Sequence, residues 1–343
     1  MNLLVVTQKV NKDDQLLGFF ISWLERFSKK FEKITVLCLE KGEFNLPSNI
    51  KVISLGKDQG ASKIKQLFTF YFLLFTLRKD YDAVFVHMNP VWVVLGGISW
   101  KLMNKKIFFW YTHKVITPKL RLAEKFADTI FTASKESFRL SSKKVTVTGH
   151  GIDTGLFQPN EKLKIKNEKL MILSVGRIAP VKNYETLINA AKILKGRGID
   201  FSVTMAGEAA LERDKYYVLS IKGKIKNLGL GDNFKFVGKI NHKDLPELYW
   251  SHDLFIHLSK TGSVDKVLLE AMACGMKVLS SNDSARSFLP QEFIFGENNS
   301  EELAGKIIAL IKNPAPAELR EYVVQNHDLD KLINRITSLI HGV

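Results

Sequence analysis

Cysteines, long apolar runs and acidic charge are all scarce in this chain. Two cysteines, Cys38 and Cys274, occur in 343 residues, each with apolar neighbours. They form no disulfide framework and no metal-ligand spacing, and are expected to be buried thiols in a reducing compartment. The most apolar run, Leu67-Phe-Thr-Phe-Tyr-Phe-Leu-Leu-Phe-Thr-Leu77, is well short of the roughly 20 residues needed to span a bilayer. It reads as a core helix; the alternative is an interfacial helix flanked by Lys63, Lys65, Arg78 and Lys79. Met1-Asn-Leu-Leu-Val-Val-Thr7 lacks a basic leader and a cleavage site, so a first strand is expected there and not a signal peptide. Gly-x-Gly-x-x-Gly, Walker A, Gly-x-Ser-x-Gly and His-Glu-x-x-His patterns are all missing. So are a basic-aromatic RNA motif and a helix-turn-helix signature, and no nucleic-acid partner is expected.

What is present is basic and globular. The net charge is +15, with 45% hydrophobic and 25% charged residues. Residues 1–160 hold 24 Lys/Arg against 13 Asp/Glu, and residues 161–343 hold 26 against 22. A basic first half points to an anionic partner, with a membrane surface preferred over a merely solvated face. The length fits two domains.

Strand and helix patterns alternate throughout. In the first half, strands are expected at 3–6, 34–39, 52–55, 83–87, 106–111, 129–132 and 144–147. Helices are expected at 16–31, 63–79, 90–102 and 120–126, with a polar loop at 8–15. A polar stretch from Gln158 to Lys169 reads as the linker. The pattern restarts with strands at 171–175, 202–206, 234–237, 254–257 and 277–281, and helices at 184–195, 215–228 and 243–251. Further helical segments follow at 301–312, 316–324 and 328–341. Regular alternation with nearly continuous apolar strands predicts an α/β fold, two Rossmann-like domains in tandem with parallel sheets covered on both faces. In such sheets ligands sit at the carboxyl ends of strands and at helix N-termini.

Those strand ends supply the candidate residues. Thr261-Gly-Ser-Val-Asp-Lys-Val-Leu-Leu-Glu-Ala-Met-Ala-Cys-Gly275 runs from a small polar loop into a helix that Gly275 stops. Gly176-Arg-Ile-Ala-Pro-Val-Lys-Asn183 follows a strand and opens a helix. Arg177 and Lys182 there offer two cations beside a close-turning backbone, the arrangement a diphosphate needs. Gly207 and Gly238 end the next two strands. His113 ends a first-half strand, His87 has the same position with a weaker claim, and His150 lies between Gly149 and Gly151. Lys9, Asn11, Asp13 and Asp14 occupy the first strand-to-helix loop.

The order of these features resembles the retaining glycosyltransferases of family four, which have the GT-B fold: two tandem Rossmann-like domains with a cleft between them. The residues that carry the resemblance are Val175-Gly-Arg-Ile-Ala-Pro-Val-Lys-Asn183, Ala127-Asp-Thr-Ile-Phe-Thr-Ala-Ser134, Gly149-His-Gly-Ile-Asp153 with Phe157 and Pro159, and Leu269-Glu-Ala-Met-Ala-Cys-Gly275. It is strong over about 107–310 and weak over the first 100 residues. The resemblance implies an acceptor-binding domain at 1–158, a nucleotide-sugar domain at 169–325 and a tail helix at 326–343 that packs back on the first domain. It further implies that Arg177 and Lys182 neutralise the donor diphosphate and Glu270 binds the ribose hydroxyls. The amides of Val267 and Leu268 would face phosphate, Gly238, Lys239 and Ile240 would contact the base, and His113 would approach the donor sugar. Gly176, Gly207, Thr261, Gly262, Ser263, Asp265 and Lys266 complete the expected substrate-binding set.

Fixed cations and amide dipoles can stabilise a departing diphosphate without a metal, and neither a metal nor another cofactor is expected. The family usually places a second glutamate eight residues before Glu270, to bind the transferred sugar; here that position is Gly262. Asp265 and Lys266 stand where the family has small or apolar residues. Either Asp265, Ser263 or Thr261 takes over sugar recognition, or the donor differs, or activity is lost. The expected function is retaining transfer from a nucleotide-diphospho-sugar to a glycan or polyprenyl-linked acceptor in cell-surface polysaccharide synthesis. The expected location is cytoplasmic, peripheral on the inner face of the cell membrane. The rivals are a catalytically altered GT-B protein that binds a nucleotide sugar without transfer, a sugar-nucleotide epimerase and a glycogen-type synthase.

Overall fold

The computed structural model describes all residues except 15, 161–168, 261–262, 312–314 and 343. It divides into two compact units, Met1–Gly151 with His327–Val343, and Ile152–Asn326. The change of unit falls at Gly151, ahead of the polar stretch that starts at Gln158, because Ile152 and Phe157 are buried in the core of the second unit.

In the first unit the elements are β1 (Asn2–Val10), α1 (Phe20–Ser28), β2 (Lys33–Lys41), β3 (Ile50–Ser54), α2 (Lys63–Thr76), β4 (Ala83–His87), α3 (Pro90–Leu102), β5 (Lys106–Trp110), α4 (Pro118–Phe126), β6 (Thr129–Thr132) and β7 (Val145–Val147). The strands form one parallel sheet in the order β3-β2-β1-β4-β5-β6-β7. Successive strand residues point to opposite faces, and in β1 both faces are covered. Leu3 and Val5 belong to a cluster with Trp23, Leu24 and Phe27, and Leu4 and Val6 to another with Phe70, Val93 and Trp100. That is why these strands read as continuous apolar runs. Helix starts follow local chemistry: the side chains of Asn89 and Thr117 accept the Val91 and Leu120 amides, and a proline follows each at the first helical position.

Two expectations for this unit are corrected. The loop expected at 8–15 begins later, because β1 continues to Val10 with Lys9 paired in register to Glu40. The Lys9 ammonium lies 3.0 Å from both Glu40 and Asp14, so it is an ion-pairing strand residue. The second correction concerns α2, which is not a core helix. It buries Phe70 and Leu74, while Phe68, Phe72 and Phe75 are 72%, 66% and 66% exposed.

The second unit contains β8 (Leu170–Val175), α5 (Tyr184–Gly196), β9 (Phe201–Ala206), α6 (Lys215–Asn227), β10 (Phe234–Gly238), α7 (Leu245–Trp250), β11 (Leu254–His257), α8 (Lys266–Ala273), β12 (Lys277–Ser280), α9 (Ser300–Leu310) and α10 (Ala317–Asn326). Its five strands are parallel in the order β10-β9-β8-β11-β12, so the ends of β8, β9, β10 and β11 share one edge. Helix α8 stops where Gly275 adopts φ +74°, a conformation that L side chains rarely adopt, and a Cβ there would come within 3.2 Å of Pro159. The Arg320 guanidinium donates to the carbonyl of Ala273, in the last turn, and to that of Phe157.

The last helix, α11 (Leu329–His341), returns to the first unit. Its apolar stripe of Leu329, Leu332, Ile333, Ile336 and Ile340 joins the cluster of Trp23 and Phe27. Arg26 Nε donates to Asp330 Oδ1 at 2.8 Å beside it.

Candidate functional site

Gly176 and Gly207 carry the sheet of the second unit one residue beyond β8 and β9, toward Gly238 at the end of β10. The Gly176 amide donates to the Ala206 carbonyl at 2.9 Å, and the Gly207 amide to the Gly238 carbonyl at 2.7 Å. Just past that rung, the Ile178 amide donates to the Glu208 carbonyl at 2.9 Å, and the Lys239 amide lies 3.4 Å from Glu208 Oε1. Gly176 has φ +150°, and a Cβ there would sit 3.4 Å from Lys182 Cε. The lysine stem therefore runs close under the turn, where a larger residue would also be strained.

Lys182 points at the segment after β11. Its ammonium donates to Asp265 Oδ2 and lies 3.4 Å from Ser259 Oγ. The backbones are joined too, since the Lys260 amide donates to the Val181 carbonyl at 3.0 Å. Asp265 receives a second partner from β11: His257 Nε2 lies 3.0 Å from the same Oδ2. Burial alone would raise the Asp265 pKa, but the Lys182 charge and the His257 hydrogen bond together hold it well below the usual carboxylate range. His257 is 3% exposed, and burial lowers its pKa despite Asp265. The ring is thus neutral at neutral pH, with its proton on Nε2 toward the carboxylate, and Nδ1 accepts from the Ser280 hydroxyl at 2.9 Å. Ser280 Oγ in turn accepts the Asn282 amide at 3.1 Å, and the Asn282 side chain donates to the carbonyls of Ser259 and Ser263. One continuous network thus links Asp265, Ser259 and Ser263 to His257, Ser280 and Asn282.

Glu270 is buried in the second turn of α8. His242 Nε2, in the segment after β10, lies 3.1 Å from its Oε1, and the Tyr249 hydroxyl of α7 donates to its Oε2 at 3.2 Å. Burial pushes the Tyr249 phenol well above its usual value and the Glu270 charge adds to that, so the hydroxyl keeps its proton as a donor. Lys266, half-buried in the first turn, has its ammonium pushed down to about 7 by burial, with Glu270 pulling the other way. Leu268 is buried, and its amide donates to the Asp265 carbonyl at 3.2 Å. The Val267 carbonyl accepts from the Tyr249 hydroxyl at 3.3 Å, while the Val267 amide has no partner among the described residues.

The remaining candidates spread out. Arg177 is half-buried at the end of β8 and makes no hydrogen bond or ion pair among the described residues. Lys239 is exposed, and Ile240 packs against the core. Ser263 is half-buried, and Thr261 and Gly262 lie outside the described residues. His113 belongs to the first unit, where it is exposed and its Nδ1 accepts the Val115 amide at 3.1 Å. His87 is structural: it stacks on Phe20 at 4.1 Å and pairs with Thr7 Oγ1 at 3.2 Å. His150 is buried, with its amide donating to His327 Nδ1 at 3.1 Å. Asn11 and Asp14 cap their own loop by accepting the amides of Asp13, Leu16 and Leu17.

Three site residues escape the sequence reading: His242, Tyr249 and His257. His257 ends a strand just before the polar loop, the same position that singles out His87 and His113, so that criterion applied evenly finds it. No sequence signal ties His242 or Tyr249 to Glu270. Among the described residues, no group of three or more His, Cys, Asp or Glu side chains is placed to hold a metal ion.

Lys182 lies beside the N-terminus of α8, where an anion can be met, and the Glu270 carboxylate is an acceptor for hydroxyl groups. The model of the glycosyl transferases group 1 matches residues 158–329, half of the chain. Mannosylfructose-phosphate synthase of Agrobacterium fabrum is 29% identical over 149 residues, 41% of this chain and 33% of that protein. The amylovoran biosynthesis glycosyltransferase AmsK of Erwinia amylovora is 30% identical over 185 residues, 51% of this chain and 44% of that protein. The chain thus matches less than half the length of these two relatives. HepE of Anabaena in complex with UDP superposes with a TM-score of 0.80 at 20% identity, covering 100% of both chains. Sucrose-phosphate synthase of Thermosynechococcus elongatus superposes at 0.77 with 17% identity, covering 99% of this chain and 98% of that one. At such identities the superpositions establish the fold alone, and that fold is GT-B. With half of its length matched by the family model, the chain belongs to the glycosyl transferases group 1, of the family-four type.

Proposed function

We propose that this chain transfers a sugar, with retention at the anomeric carbon, from a nucleotide-diphospho-sugar to a glycan or lipid-linked acceptor in cell-surface polysaccharide synthesis. The observation that carries the donor half is the buried Glu270 carboxylate between His242 and Tyr249, one turn along the helix whose first residues lie beside Lys182. In this reading Glu270 binds the ribose hydroxyls, while Arg177 and Lys182 stabilise the charge on the departing diphosphate. The Val267 amide adds a dipole, and the Gly238–Ile240 segment borders the base. No metal or other cofactor enters the scheme. HepE has been crystallised with UDP-glucose, which makes that compound the first donor to test. AmsK and the lipopolysaccharide core mannosyltransferase LpsB of Rhizobium meliloti support a glycan acceptor by their names. The basic first half supports a cytoplasmic protein peripheral to the membrane.

A second reading is favoured by one contact. Asp265 already satisfies Lys182, so the site can hold a nucleotide sugar weakly and without turnover. Incubation with UDP-, GDP-, ADP- and dTDP-sugars and a membrane extract as acceptor source separates the two. Transfer predicts release of one nucleoside diphosphate that stops in Lys182→Ala and Glu270→Ala. Release unchanged in both variants contradicts the assignment, and binding without release supports the second reading.

A further inference from the structure

Helix α2 carries an apolar face that the first unit leaves uncovered. Ile64, Phe68, Phe72 and Phe75 are 69%, 72%, 66% and 66% exposed, and they recur at helical spacing on one side. The Tyr71 hydroxyl donates to the Leu95 carbonyl of α3 at 3.0 Å. From Leu95 the same stripe of α3 continues to the exposed Ile98 and Leu102. Patches of this kind on a soluble fold mark contact with another apolar phase.

The polar atoms of α2 are arranged for such a phase. Thr69 and Thr76 donate their hydroxyls to the carbonyls of Lys65 and Phe72, each at 2.9 Å, and Gln66 Nε2 donates to the Ala61 carbonyl at 2.6 Å. Hydroxyls bonded to the carbonyls of their own helix, as those of Thr69 and Thr76 are, lose little on leaving water.

Charge selects the partner. Residues 59–123 hold ten Lys/Arg and only two acids, Asp80 and Asp82. Lys63 and Lys65 occupy the first turn of α2, which has no acid, against the preference of a helix N-terminus for negative charge. At the other end Arg78 lies over the Phe75 ring at 4.3 Å, with Lys79 beside it. None of these four makes an ion pair among the described residues. A second copy of the face would bring like charges together, whereas a bilayer with anionic headgroups satisfies both the rings and the cations. The helix has 14 residues and is therefore about 21 Å long, suited to lying in the interface plane and too short to cross.

We propose that the exposed face of α2, extended by Ile98 and Leu102, docks on an anionic bilayer, with the rings among the acyl chains and Lys63, Lys65, Arg78 and Lys79 at the headgroups. The inference rests on the peripheral-membrane part of the proposed function and names the surface responsible. Sedimentation with phosphatidylglycerol–phosphatidylcholine vesicles, against phosphatidylcholine alone, tests it on the full chain. Wild type is expected to pellet with the anionic vesicles. The double variant Phe68→Ser, Phe72→Ser and the double variant Lys63→Gln, Lys65→Gln should each weaken partitioning by about tenfold or more. Both alter exposed residues only, and an unchanged unfolding temperature checks that the fold is kept. Equal partitioning of wild type and both variants overturns the proposal, as does failure of wild type to bind anionic vesicles. So does a wild-type dimer that the Phe68→Ser, Phe72→Ser variant dissolves. Vesicle binding and nucleoside diphosphate release are read separately: loss of the first alone overturns the docking surface, and absence of the second alone overturns the transfer reading.

Discussion

Lys182 and Asp265 form a largely buried ion pair, with their side chains 12% and 20% exposed, across 83 residues of sequence. In the proposed scheme the same lysine serves the donor diphosphate, so an internal carboxylate occupies the place of a substrate anion. The His257–Ser280 relay behind Asp265 holds that carboxylate in position, and the Lys182 charge with the His257 hydrogen bond keeps it ionised.

Replacing Asp265 should therefore strengthen anion binding. Two like charges about 5 Å apart at an effective dielectric near 20 repel by roughly 3 kcal/mol. Asp265→Gly is expected to tighten UDP binding by about tenfold to a hundredfold, measured by calorimetry. It should also lower thermal stability by about 3 kcal/mol, because Lys182 is left without its carboxylate. An unchanged UDP affinity would show that Lys182 does not face the phosphate.

Glu270→Gln keeps the shape of a buried side chain but removes the charge that His242 and Tyr249 face. Transfer should fall by about a hundredfold or more, on the scale of losing a charge-assisted hydrogen bond to the ribose. Stability should fall by about 1–3 kcal/mol. Steady-state rates and thermal unfolding, measured on one preparation, separate the two effects.

Lys266 titrates near neutrality, since burial holds its ammonium down to about 7. It is a cation below that pH and neutral above it. Affinity for UDP-glucose, whose diphosphate does not titrate in this range, should fall as pH rises from about 6 to about 8. Lys266→Met should flatten that profile at the weaker, high-pH level. A wild-type affinity constant across this range would remove Lys266 from the site.

His327 is pushed down to about 4 by burial, from an ordinary value of 6.5. Between those values the unfolded chain carries a proton that the folded chain does not, so stability falls as pH drops. The loss should reach about 3 kcal/mol by pH 4. His327→Asn, which can still accept the His150 amide, should reduce this slope in pH-dependent denaturant unfolding. An identical slope in the variant contradicts the account.

Strand positions were readable in the sequence because both faces of each sheet are buried, and continuous apolar runs such as those of β4 and β11 have no other stable place. The glycine stop at Gly275 and the cations of the 176–183 segment were readable because backbone geometry and permanent charge are local properties. Helix α2 was misread because its apolarity does not reveal which side another element covers: Phe70 meets Trp92 and Trp100, whereas Phe68 and Phe72 are largely exposed. Lys9 was misplaced because its strand partner Glu40 is distant in sequence. The Asp265–Lys182 and Glu270–His242 pairs are likewise products of sheet order, which brings β8, β10 and β11 to one edge. Sequence flagged Asp265 as unusual for its family, and only the fold supplied its partners.

Calorimetric titration of wild-type protein with UDP-, GDP-, ADP- and dTDP-sugars tests the donor-site assignment most directly. The account predicts that one of these compounds binds saturably, competes with its own nucleoside diphosphate, and loses most of its affinity in Glu270→Gln. Binding of none of them to wild type or to Asp265→Gly, or equal binding by wild type and Glu270→Gln, would contradict it.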